Sequence, residues 1–244
     1  MDAVITWHEL ITSDVEAAAR FYTELLGLEL ETADMGDFQY PMLRKNGRTH
    51  AGFVAQEQAG TPAHWYPYVA VENVDRATDA AKAAGAQLYH GPADVSERLR
   101  FAALGDPQGA SFGVMRWAEE PPTGVFAWDE LHATDPDAAA SFYGGLFGWT
   151  TAPFVEEYRL FNLGETGVGG LMQERGGSSV GNWLAYFAVE DTDAAATKAM
   201  ELGAGVILPP ESMEQVGRYA VLTDPTGAAF GLHQPLAESQ VSPE

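Results

Sequence analysis

Cysteine is absent from the 244 residues. That excludes disulfides, thiolate metal ligands and a cysteine nucleophile together. Basic residues are scarce, 13 Lys and Arg against 35 Asp and Glu, for a formal net charge of −22. A surface this acidic repels phosphate backbones and anionic headgroups, so neither nucleic acid nor a membrane is expected as a partner. No stretch approaches the roughly 18 uninterrupted apolar residues of a membrane span, and no basic-then-apolar leader opens the chain. The expected location is the cytoplasm. Phosphate loops, dinucleotide fingerprints and nucleophile motifs are also missing. Gly167, Gly169 and Gly170 lack the following helix that a phosphate cradle requires. What is present suits packed domains: 46% of residues are hydrophobic and only 20% charged, which predicts one or two globular units.

The chain repeats itself at an offset of about 120 residues. Trp7–Leu30 and Trp128–Thr151 agree at eleven of 24 positions, Tyr68–Ala86 and Tyr186–Ala204 at nine of 19, and Arg100–Gly113 and Arg218–Gly231 at nine of 14. Three collinear blocks predict two similar domains, 1–117 and 124–235. The proline-rich residues 118–123 form the expected linker, and 236–244 an apolar-poor tail. Within the first repeat, residues 4–12 read as a strand. Ser13 or Asp14 can cap a helix that Gly27 stops, and strands follow near 28–33, 38–45 and 49–56. The pattern restarts with a strand at 66–71 and a helix at 74–84. Strands near 86–90, 99–104 and 110–117 complete it. The whole chain therefore reads as four βαβββ units, an α+β architecture.

The Asp14–Gly27 segment with Phe21-Tyr22, its copy Asp135–Gly148 with Phe142-Tyr143, and the turns Asp106-Pro107-Gln108-Gly109 and Asp224-Pro225-Thr226-Gly227 together resemble the vicinal oxygen chelate superfamily. That superfamily contains the glyoxalases, bleomycin-resistance proteins and extradiol dioxygenases. The resemblance covers nearly all of residues 4–235, and the W-x-E-L opening is similar to a two-domain actinobacterial glyoxalase-like subgroup. It implies two tandem cupped sheets with helices outside and a small-molecule site inside each cup. It also implies metal-ligand rows, which fall here on Trp7 and Trp128, near Phe53–Val54 and Gly170–Leu171, on Tyr66 and Leu184, and on Gly113 and Gly231. None of these is His, Asp or Glu, so the usual ion site is not expected and no cofactor is assigned.

Strand alternation indicates what lines the cups instead. Trp7, Glu9, Tyr66, Tyr68, Met115 and Trp117 share one inward face. Trp128, Glu130, His132, Leu184, Tyr186 and His233 share the other, with Arg100, Arg218 and Tyr219 as further ligand-binding candidates. Flat aromatic surface with few polar groups suits a planar, partly polar organic molecule. A carboxylate on a central strand is costly without a partner. Glu9 and Glu130 therefore either pair with Arg100 and Arg218, meet water, or act as bases. Three functions follow: a binding protein for an aromatic or secondary metabolite; a metal-independent lyase, isomerase or hydrolase with Glu9 or Glu130 as base; or a divalent-metal lyase or dioxygenase through Glu130, His132 and His233. Four units in one chain allow a monomer as well as a homodimer.

Overall fold

The computed structural model describes residues 3–36, 38–56, 60–97, 99–117 and 123–236. The expected linker, apart from residue 123, and all but the first residue of the expected tail lie outside them. The elements run β1 (Ile5–Thr12), α1 (Val15–Leu26), β2 (Glu29–Asp34), β3 (Gln39–Lys45), β4 (Arg48–Ala55), β5 (His64–Ala70), α2 (Val74–Ala83), β6 (Gln87–Ser96), β7 (Leu99–Gly105) and β8 (Ser111–Trp117). The second repeat gives β9 (Phe126–Ala133), α3 (Pro136–Phe147), β10 (Thr150–Val155), β11 (Tyr158–Leu163), β12 (Thr166–Gln173), β13 (Asn182–Ala188), α4 (Thr192–Glu201), β14 (Gly205–Met213), β15 (Gly217–Thr223) and β16 (Ala229–Pro235). These are the four βαβββ units. No described helix is long and apolar enough to cross a membrane.

Local chemistry sets the helix ends. Asp14 accepts a hydrogen bond from Ala17 N, and Gly27 takes the left-handed conformation that closes α1. Asp135 and Gly148 do the same for α3, with Pro136 in its first turn, where a missing N–H costs nothing. One strand is longer than its sequence suggests. The strand expected near 86–90 continues to Ser96, because the pairing of β6 with β7 shifts between His90 and Ala93 and sets Gly91 and Pro92 outside the ladder as a bulge.

Each sheet has eight strands, ordered β2-β3-β4-β1-β5-β8-β7-β6 and β10-β11-β12-β9-β13-β16-β15-β14. In every unit the opening strand pairs in parallel with the last, and the remaining pairs are antiparallel. This is what a helical crossover followed by a meander produces.

The chain packs as two compact units that do not follow the repeats: Met1–Trp7, Tyr66–Pro121 and Trp128–Leu184 form one, and His8–Trp65, Pro122–Ala127 and Ala185–Glu244 form the other. Each unit has its own apolar core. In the first, Phe112, Val114, Leu131, Phe142, Tyr143 and Trp183 pack together. In the second, Leu10, Phe21, Tyr22, Trp65, Phe187 and Phe230 do so.

A polar relay crosses the repeats inside each core. In the first unit Trp183 Nε1–H donates to Tyr143 Oη at 3.1 Å, and the Tyr143 hydroxyl donates to Asp106 Oδ2 at 3.1 Å. The other carboxylate oxygen, Oδ1, accepts from Gln108 N and Ala110 N, which shapes the D-P-Q-G turn. In the second unit Trp65 Nε1–H donates to Tyr22 Oη at 3.0 Å, and Asp224 faces that phenol. The tyrosine of each Phe-Tyr motif thus meets the aspartate of the other repeat's turn.

Candidate functional site

The first unit carries a helix-free face on β9. Leu131 and Ala133 enter the core, so alternation turns Trp128, Glu130 and His132 the other way. His132 Nε2–H donates to Glu130 Oε1 at 2.6 Å, with the side chains 24% and 11% exposed. Trp128 Nε1–H donates to Tyr158 Oη at 2.9 Å. Beneath this tyrosine lies Gly170, the register partner of Glu130: a Cβ there would stand 1.9 Å from Tyr158 Oη. Gly167 likewise leaves room for the Trp128 ring, whose edge would be 3.4 Å from an added Cβ.

The equivalent face in the second unit is built alike. Glu9 is the register partner of Gly52, and an added Cβ at Gly52 would lie 1.9 Å from Tyr40 Oη. The Tyr40 hydroxyl donates to Glu9 Oε1 at 2.6 Å. Ile11 occupies the place that His132 holds in the other repeat. Tyr40 and Tyr158 are not among the residues that sequence reasoning singles out. Their common spacing from Gly52 and Gly170 is the signal that could have found them.

The remaining candidates sort by unit. In the first, Trp7 stands edge-on to Trp117 at 5.3 Å, and the Tyr66 hydroxyl donates to Leu104 O at 2.8 Å. The Tyr68 ring lies over Gly113, where a Cβ would meet it at 2.1 Å, and Met115 is opposite Phe101. In the second, Tyr186 covers Gly231 in the same way, at 2.0 Å. Tyr219 is opposite His233 in the ladder and donates to Glu211, while His233 Nε2 bonds the Val216 carbonyl at 2.9 Å.

Arg100 and Arg218 require correction. Of the three alternatives for Glu9 and Glu130, ion pairing with Arg100 and Arg218 is not what the structure shows. Arg100 shares its strand face with Ala102 and Leu104, both in the core beside α2, and it binds Asp75 and Asp94. Arg218 shares a face with Ala220 and Leu222 and binds Asp193. Hydrogen bonding to these guanidinium groups holds Asp75 and Asp193 below the usual carboxylate range. Both arginines therefore brace the first turns of α2 and α4 and contribute no guanidinium to the helix-free faces.

Among the described residues no three His, Cys, Asp or Glu could hold a metal ion together, so Glu130, His132 and His233 do not assemble as a triad. At the glycines that fall on the expected ligand rows, Gly113, Gly170 and Gly231, a tyrosine already fills the space a side chain would need. A separate groove of about 430 Å³, lined by Pro107, Gln108, Ala138 and Phe142, is built by α3 and the Asp106 turn, on the helix side of the unit.

With fold and faces in place, the class is plain: the chain belongs to the glyoxalase-like domain family, which matches residues 7–115 and 126–233, within the vicinal oxygen chelate superfamily. It is 33% identical to the Mycobacterium tuberculosis protein named "Putative glyoxylase CFP32", over 94% of each chain. It is 34% identical to the Streptomyces peucetius "Anthracycline biosynthesis protein DnrV", over 93% of this chain and 91% of that one. Among solved structures, the Mn(II)-bound glyoxalase of Novosphingobium aromaticivorans superposes with a TM-score of 0.70 at 14% identity, covering 97% of this chain and 84% of that one. A homoprotocatechuate 2,3-dioxygenase variant from B.fuscum gives 0.70 at 14% identity over 100% of this chain and 74% of that one. Identities this low speak for the fold alone.

Proposed function

We propose that the chain binds a planar, partly polar organic molecule on the face built by Trp128, Glu130, His132 and Tyr158, without a metal ion. The observation that carries this reading is Tyr158 Oη seated over Gly170, where a ligand-bearing side chain would otherwise rise. An indole and a phenol joined by a hydrogen bond offer broad apolar contact, and the adjacent carboxylate–imidazole pair fixes orientation. The names of the Streptomyces relatives support a polycyclic aromatic ligand.

The test is a fluorescence titration with 2-(hydroxymethyl)anthraquinone, a neutral tricyclic probe. Saturable tryptophan quenching is expected, with the same Kd in EDTA and in added Mn²⁺. Trp128→Ala is expected to weaken binding about 10-fold or more, as loss of a central aromatic contact does. Binding that disappears in EDTA and returns with Mn²⁺, or no saturable binding, would overturn the reading.

A further inference from the structure

The two repeats differ where it matters chemically. Glu9 is hydrogen-bonded by Tyr40, and Ile11 stands two residues on. Glu130 holds His132 through Nε2, which directs the second ring nitrogen, Nδ1, away from the carboxylate. Among the described residues none is seen to hydrogen-bond Nδ1, and the His132 side chain is 24% exposed. An imidazole held by a carboxylate at one nitrogen and turned outward at the other has the geometry of a general base.

We propose that His132 Nδ1 removes a carbon-bound proton from an enolisable ketone in a ring fused to an aromatic one, bound at this face, with Glu130 as the positioning residue. The proposal rests on the binding reading above. The C–H bond next to the carbonyl breaks and its proton passes to Nδ1. The bonding pair forms the carbon–carbon double bond of an enolate, and the carbonyl pair moves onto oxygen. Return of the proton to the same carbon gives exchange, and return to a conjugated carbon gives an isomer. Atoms and electrons balance with no cofactor or oxidant. The class of activity is therefore proton-transfer isomerisation of such ketones.

The experiment uses the full chain and 2-tetralone in deuterated buffer. Proton NMR follows loss of the signal next to the carbonyl, and tryptophan quenching measures binding of the same compound. With bound 2-tetralone, exchange about 100-fold or more above buffer is expected, the usual lower range for a positioned base. His132→Gln should return the exchange rate at saturating 2-tetralone to the buffer level, whatever its effect on Kd. Glu130→Gln should slow exchange at saturating 2-tetralone about 10-fold or more, since orientation of the ring is lost. A purely structural role for Glu130 would shift Kd and leave the saturated rate unchanged. Binding without acceleration, or acceleration that survives His132→Gln, overturns the base while leaving the binding reading intact. Failure of 2-tetralone to bind overturns the ketone substrate, and the binding reading falls with it only if 2-(hydroxymethyl)anthraquinone also fails to bind.

Discussion

Gly113→Ala is expected to destabilise the protein by about 2 kcal/mol, although alanine in a strand ordinarily gains roughly 0.5–1 kcal/mol over glycine. The new Cβ would lie 2.1 Å from Tyr68 Cδ1 and 2.2 Å from Cε1, well inside contact distance. The ring has little freedom to yield, with Tyr66 at 5.1 Å and Phe101 at 6.1 Å. Urea denaturation of wild type, Gly113→Ala, Tyr68→Ala and the double variant forms a cycle. A coupling of about 2 kcal/mol is expected, because with the ring gone the methyl group fills space instead of contesting it. Additive effects would mean that the ring is not what excludes a side chain from position 113. Gly231→Ala with Tyr186→Ala is the same experiment in the other repeat, with the Cβ 2.0 Å from Tyr186 Cδ1.

Much of this was legible in the sequence because the relevant physics is local. Helix ends followed from Asp14, Asp135, Gly27 and Gly148, whose side chains or backbone act within a turn. Period-two alternation put Trp128, Glu130 and His132 on one face without knowledge of any neighbour. The same rule, applied to Arg100, Ala102 and Leu104, would have sent that arginine to the helix side, since two of the three are apolar core residues. Its partner Asp75 is 25 residues away on α2, and only helix-on-sheet packing joins them. Tyr40 and Tyr158 were missed because their reach depends on strand register. A hydroxyl one strand away lies over Gly52 or Gly170 only after β3–β4 and β11–β12 have paired. Least legible was which repeat's tyrosine meets which repeat's aspartate. The two Phe-Tyr motifs are equivalent in sequence, so nothing local favours Asp106 for Tyr143 over Asp106 for Tyr22.

That choice makes Tyr143→Phe the second large effect, expected at about 3 kcal/mol. Removing one hydroxyl strands two buried groups, the Trp183 N–H that it accepts and the Asp106 oxygen to which it donates, and each orphan costs roughly 1–3 kcal/mol. Burial pushes the Tyr143 pKa far up, so the phenol stays neutral and remains a donor. Burial also raises Asp106, against the hydrogen bonds from Ala110, Gln108 and Tyr143 that favour its charge. The native state therefore holds the Asp106 proton more tightly than the unfolded chain does. The stability from this linkage is fully present below the unfolded carboxylate value of about 3.9 and is lost as pH rises through the folded value. Asp106→Asn removes the titration, so its stability relative to wild type should improve with pH across that window. Denaturation midpoints of both proteins at several pH values measure the difference. A flat difference would show that Asp106 titrates alike in the folded and unfolded chain. A cost under about 1 kcal/mol for Tyr143→Phe would show that the Trp183–Tyr143–Asp106 relay is not what joins the second half of one repeat to the first half of the next.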